Sequence, residues 1–234
     1  MMRYVTGVKG APSKDAARLT EMDRLLLLSM LFSCLLAAGR VIHTGRMTFI
    51  TLIWNLLLAY IPYFITDYLA RRPARVANRP LFVIAFIVWM LFIPNSFYII
   101  TDLFHLADKF NDGQAPMWFD LAMILSFAWN GLLLGILSVR QMERMLFPDL
   151  SLRKELLFLY PVMWLNALGV YIGRYLRYNS WDVISDPFQL LRDIALMIIH
   201  PLRHQYAWDM IFCFSILMTL MYLMLKRISK ALNT

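Results

Sequence analysis

The sequence predicts an all-α membrane protein: a bundle of about six transmembrane helices plus one interfacial helix, with both termini on the cytoplasmic side. Three observations carry this. First, 60% of the 234 residues are hydrophobic, whereas a soluble domain holds roughly 45–50% even with glycine counted. Second, the apolar residues gather into six runs, each near the ~20 residues a helix needs to cross a bilayer core. Third, Lys and Arg are shared unevenly between the two sides of those runs, sixteen of 23 on one side.

The runs are roughly 23–42, 48–69, 81–102, 118–139, 155–174 and 207–226. Each is expected to be helical, because a helix satisfies its own backbone polar groups in lipid. Residues 1–22 then form an N-terminal tail, 23–226 the transmembrane domain and 227–234 a C-terminal tail. Within the first run, the apolar stretch 25–39 follows Lys9, Lys14, Arg18 and Arg24 and resembles a signal-peptide core in length. "LLAAGR" is a poor cleavage site, so the run is read as an uncleaved first span.

The richer basic side holds Arg3, Lys9, Lys14, Arg18 and Arg24 near the N-terminus, then Arg71, Arg72, Arg75 and Arg79, then Arg140, Arg144, Arg153 and Lys154, and finally Lys226, Arg227 and Lys230. The other side holds Arg40, Arg46, Lys109, Arg174, Arg177, Arg192 and Arg203. The positive-inside rule places the first set in the cytoplasm. The same rule accounts for the net charge of +8, so no nucleic-acid partner is inferred. Between the fifth and sixth runs, "DPFQLLRDIALMIIHP" predicts a helix over about 187–200. Asp186 caps it, Pro187 suits its first position and Pro201 ends it. Gln189, Arg192 and Asp193 share one face, which suits a helix lying in the outer interface, with a re-entrant segment as the alternative.

"FIPNSFYIITDLFHLAD" closes the third run, beginning as an apolar span and ending with an acid, a histidine and another acid. Asn95, Tyr98, Asp102 and His105 are spaced three, four and three apart, which on an α-helix makes one stripe. Pro94 frees the carbonyl of Met90. These four are the candidate catalytic residues. Asp102 and His105 suit an acid–base pair in which the carboxylate orients the imidazole. A Glu-x-x-His-like metal pair and a simple helix-end hydrogen bond are the alternatives, and no metal site is assigned. Asp108, Asp112 and Asp120 follow, and Asp120 also suits the positive dipole end of the fourth helix.

"GRYLRYNSWD" supplies the second constellation. Arg174 and Arg177 lie about one turn apart and suit a phosphate or carboxylate. Tyr175, Tyr178 and Trp181 fit an aromatic belt. Candidate substrate-binding residues are Arg174, Arg177, Asn179, Trp181, Asp182 and Asp120. The alternative is an arginine cluster that snorkels to lipid phosphates. Pairing with Asp102, Asp120 or Asp182 would explain arginines on the side they usually avoid, and suggests a polar site between the outer ends of the third, fourth and fifth helices.

Other features are plainer. Cys34 and Cys213 lie in apolar runs without a CxxC and are read as small core residues. Asn55, Trp129 and Asn130 suit hydrogen bonds between helices, and Gly131 with Gly135 suits close helix packing. "IPYFITDYL" at 61–69 echoes 93–104. It is read as chance similarity, with an inverted repeat as the alternative.

"WNLLLAYIP", "WMLFIPNSFYIITDLFHL", "WFDLAMILSFAWNGLLLGILS" and "GRYLRYNSWD", spanning about 50–182, together resemble the multi-pass membrane family called domain of unknown function 1361. In that family Phe97 stands where a proline is usual. The resemblance implies a bacterial cytoplasmic (inner) membrane protein and transfers no activity or cofactor.

Three functions are consistent with these residues. The first is an enzyme acting at the extracytoplasmic face on a lipid or lipid-linked anionic substrate. The second is a transporter of a small solute or ion. The third is a non-catalytic assembly partner. Membrane lipids are the expected partners in each case, and an oligomer is compatible with all three.

Overall fold

A computed structural model describes residues 21–104, 115–147 and 152–231. Every regular element among them is helical: α1 Glu21–Thr44, α2 Ile50–Ala70, a short α3 Pro73–Ala77, α4 Arg79–Tyr98, α5 Met117–Leu146, α6 Leu152–Arg174, a single-turn α7 Asp182–Ser185, α8 Pro187–Ile199 and α9 Gln205–Ala231. A 3-10 segment, Ile99–Leu103, prolongs α4. Six helices are long and apolar enough to cross a membrane, namely α1, α2, α4 with its extension, α5, α6 and α9. The chain is a multi-pass helical membrane protein. The expected first span is present, and each expected run lies inside or within two residues of an observed helix.

Local chemistry explains the helix limits. The Asn78 side chain accepts from the Leu81 amide at the start of α4, and Pro80 occupies an early position that needs no donor. Asp186 accepts from the Gln189 amide at the start of α8, at 3.3 Å. Pro62, Pro94 and Pro161 all lie inside helices.

Helix α5 is the centre of the bundle. Two-thirds (67%) of its membrane window is buried, against 33% or less in every other span. It touches α1, α2 and α4, while α6 packs between α4 and α9. One apolar core gathers Trp89, Ile93 and Phe97 of α4 with Val139, Met163, Val170, Ile211 and Met218. A second joins α1, α2 and α5 through Leu26, Leu52, Leu56, Met123 and Phe127. Trp89 donates to Ser138 at 2.8 Å, and Thr66 meets Ser138 and Gln141, so buried polar groups link α2, α4 and α5. Asn130 donates to Ser33 and ties α1 to α5.

Glycines bring α4 unusually close to both neighbours. A Cβ on Gly131 of α5 would lie 2.6 Å from the Ser96 carbonyl oxygen, and one on Gly135 would lie 3.0 Å from the Phe97 ring. On the other side, a Cβ on Gly169 of α6 would lie 2.6 Å from Pro94 Cγ, and one on Gly173 would lie 3.3 Å from the Tyr98 ring. The close packing expected at Gly131 and Gly135 is present, and the same four-residue spacing recurs at Gly169 and Gly173.

Ion pairs close the two ends. At the end holding the first and last described residues, here the terminal end, Asp23 accepts from Tyr63 at 2.6 Å and pairs with Arg71, which also binds Asp67. There too, Lys226 pairs with Glu143 and Glu155 at 2.7 and 2.9 Å, and Tyr222 donates to Glu143. At the opposite, distal end, Arg40 and Asp120 form a buried two-pronged pair at 2.6 and 3.1 Å. One expectation is corrected: Cys213 is exposed on α9, and Cys34 is only partly buried. In lipid an exposed apolar thiol carries no solvation penalty, so residence in an apolar run does not imply a core position.

Gly169→Ala should therefore lower stability by roughly 1–3 kcal/mol, because its Cβ must displace a rigid proline ring. Gly39→Ala, which meets nothing within 4 Å, should be neutral or slightly stabilising. Thermal unfolding of both in detergent checks this. Equal midpoints for the two variants would refute the close α4–α6 contact.

Candidate functional site

A cavity of about 510 Å³ opens between α2, α4, α6 and the 178–190 segment. Its walls are mainly apolar, including Phe86, Ile87, Met90, Leu91, Leu165 and Leu168. Its polar groups gather toward the distal end: Asn55, Asn95, Tyr98, Asn179 and Ser180. Trp54, Ile87, Leu165 and Val183 line it and are also well exposed on the outside of the bundle. The cavity is therefore open at the side of the bundle. Gly169 and Gly173 line it as well, so the missing side chains that admit α4 also leave part of the void.

Asn95 lies within this frame. Its amide donates to the Phe92 carbonyl and to Ser180 Oγ, both at 2.9 Å, which ties α4 to the segment after α6. Tyr98 lies one turn on and faces the same space. Asp102 does not. The helix tightens to 3-10 geometry after Tyr98. An α-helix turns about 100° per residue and a 3-10 helix about 120°, so four residues carry Asp102 about 80° further round than an α-helix would. The stripe expected from α-helical spacing is thus split. Phe97, where the family usually has proline, remains in the α-helix and is fully buried.

Asp102 is almost fully buried. Asn55 donates to its Oδ2 at 3.0 Å and Arg174 Nη1 to its Oδ1 at 3.4 Å. Arg174 also lies 5.7 Å from the Phe104 ring centroid. Both carboxylate oxygens are thus engaged, and Asn55 is the link between Asp102 and the cavity that it lines. Nothing in an isolated in-span asparagine marks it for that role; the signal is only that a buried amide needs a partner. His105, Asp108 and Asp112 lie outside the described residues.

The expected site between the third, fourth and fifth spans is only partly assembled. Arg174 of α6 meets Asp102 beyond α4, but Asp120 of α5 pairs with Arg40 of α1. Arg40 also stacks on Phe49, 4.3 Å from its ring centroid. Asp182 stays within its own turn, accepting from the Asn179 amide at 2.6 Å and from Ser185. That backbone bond comes first among the causes holding its carboxyl below the usual range. Tyr178 donates to Asp193 of α8 at 2.8 Å. Desolvation and this carboxylate push its hydroxyl up to about 12. Trp181 meets the cavity-lining Trp54 edge-on, with 6.5 Å between centroids.

Arg177 differs from Arg174. Its side chain is exposed, and it has no carboxylate partner among the described residues. Its backbone is left-handed, φ 61°, the one non-glycine residue so placed among the described residues. Such a conformation costs a residue with a Cβ roughly 1–2 kcal/mol. It immediately precedes the cavity-lining residues Tyr178, Asn179 and Ser180.

A helical membrane bundle with a lateral, one-ended polar cavity is the class of protein defined here. A family model described as protein of unknown function (DUF1361) matches residues 54–221. The chain belongs to this family. No curated protein and no solved structure matches it.

Arg174→Met should destabilise the protein by about 3 kcal/mol or more, because Asp102 is left buried and charged. The double variant Asp102→Asn/Arg174→Met should recover most of that loss. Chemical or thermal unfolding of the pair decides it: a double variant no more stable than the single would mean that the ion pair is not the source.

Proposed function

We propose that this protein binds an amphiphile with an anionic head at the distal face of the membrane and acts on it there as an enzyme on a lipid or lipid-linked substrate. The cavity carries this reading. A laterally open space with apolar walls and a cluster of amides and hydroxyls at one end matches an acyl or prenyl tail with a polar head. A soluble ion or small polar solute would have no use for the apolar walls. A transport path is less well supported, because the charged groups gather at the two ends and the middle of the bundle is mainly apolar, with Trp89, Ile93 and Phe97 in its buried core.

In this reading the head sits beside Asn95, Tyr98, Asn179 and Ser180, with Trp181 packed against Trp54. Arg177 meets its charge, and the strained backbone there is consistent with a residue held for function. Arg174 is already engaged by Asp102, so an anion would have to compete for it. Asp102 serves as an orienting group, passing its effect to the head through Asn55, and His105 is the proposed acid–base partner. The bias of basic residues supports termini in the cytoplasm and a site on the extracytoplasmic face. The family resemblance supports the bacterial inner membrane.

Photo-crosslinking with phosphatidylglycerol carrying a diazirine in its tail tests the site. Label is expected on the walls around 86–91 and 165–172. Arg177→Gly should keep stability within about 1 kcal/mol, since glycine adopts this backbone readily, yet lose most of the label. Unchanged labelling in that variant, or labelling spread evenly over the lipid-facing helices, would reject the proposal.

A further inference from the structure

The terminal end carries a cluster of arginines on residues that do not line the cavity. Where α2 passes through α3 into α4, Arg72 and Arg75 both rest on Tyr68, with Cζ 3.9 and 4.5 Å from the ring centroid. Both side chains are exposed. Two like charges held against one ring repel each other, and a nearby carboxylate would be the usual remedy. None is provided. Among the described residues, neither Arg72 nor Arg75 has an acidic partner, and the acids at this corner, Asp23 and Asp67, both bind Arg71 at 2.7 Å.

The surroundings add to the imbalance. Helix α4 starts here with Arg79 as its first residue and no acidic residue in its first turn. A helix start favours acids and disfavours cations. Among the described residues, this corner therefore gathers Arg71, Arg72, Arg75 and Arg79 around two aspartates, both of which are bound to Arg71. Tyr68 lies in the last turn of α2, at the depth where aromatic side chains meet lipid headgroups. Both guanidinium carbons lie within 4.5 Å of the same ring centroid before any ligand arrives, which removes part of the entropy loss on binding. Paired guanidiniums match the oxygens of a phosphate.

We propose that Arg72 and Arg75, organised by Tyr68, bind the phosphate of an acidic phospholipid headgroup in the leaflet at the terminal end. A basic loop attracts such lipids diffusely. This arrangement holds one in a defined place. The assignment does not depend on the cavity or on what the cavity binds.

Native mass spectrometry of the full chain in mild detergent, titrated with phosphatidylglycerol, tests it. The wild type should retain one lipid that Arg72→Gln/Arg75→Gln loses, with half-saturation shifted roughly tenfold or more. Tyr68→Leu keeps both charges but removes the platform, and should shift it severalfold. Arg24→Gln/Arg227→Gln removes the same net charge from exposed arginines at the same end and should shift it little. A thermal midpoint for each variant identifies any that fails to fold, and Tyr68→Phe, which keeps the ring, should then bind as the wild type does. Equal shifts in the two double-arginine variants would reduce the site to diffuse attraction and overturn the proposal. Displacement of the lipid by millimolar inorganic phosphate would overturn the lipid assignment in favour of a soluble anion.

Discussion

The structure depends on the close passage of one short stretch, Pro94 to Ile99, between two pairs of glycines. Gly131 and Gly135 let α5 approach one side of it, and Gly169 and Gly173 let α6 approach the other. Helices in lipid gain nothing from hiding apolar surface, because the lipid is equally apolar. What they gain is contact, and contact deepens where side chains are absent. Here the contact also fixes the rotation of α4. That rotation points Asn95 and Tyr98 into the lateral cavity and buries Ser96 and Phe97 against α5. Ser96 then donates to the carbonyl of Ala59 at 2.9 Å, which joins α2 to the same stretch.

The ion pairs impose a second constraint, on height rather than rotation. A carboxylate this deep is tolerable only beside a cation. Asp23 with Arg71, Glu143 and Glu155 with Lys226, Asp102 with Arg174, and Asp120 with Arg40 therefore hold neighbouring helix ends level. Their arrangement in two end layers leaves a largely apolar middle, crossed by neutral contacts such as Trp89 to Ser138. The division of labour follows. Among the described residues, the terminal end is pinned by charges while Arg72 and Arg75 have no acidic partner, and the distal end is pinned by charges while Arg177 has none.

Much of this was legible in the residues. The spans followed from runs of about 20 apolar residues, and the helix over Pro187–Ile199 from its aspartate cap and proline start. Engagement of Arg174 by an acid followed from the cost of charge near lipid. The partner of Asp120 did not. Arg40 is 80 residues away, and choosing between Arg40, Arg174 and Arg177 requires knowing which helices are neighbours. The position of Asp102 was missed for a local reason. A switch from α to 3-10 geometry leaves no mark in the spacing of polar residues, yet it turns the carboxylate away from Tyr98.

The sequence by itself determined a multi-pass helical protein, its six spans and the two segments that hold most of the distal polar groups. These depend on composition, period and local capping, which act along the chain. Only the tertiary structure decided which arginine is engaged and which is left, that Asn55 connects Asp102 to a cavity, and that two glycine pairs shape that cavity. Those depend on which helix faces act as neighbours across the bundle. In lipid, that choice is made by fit between surfaces rather than by hydrophobicity, and fit exists only once the helices are placed side by side.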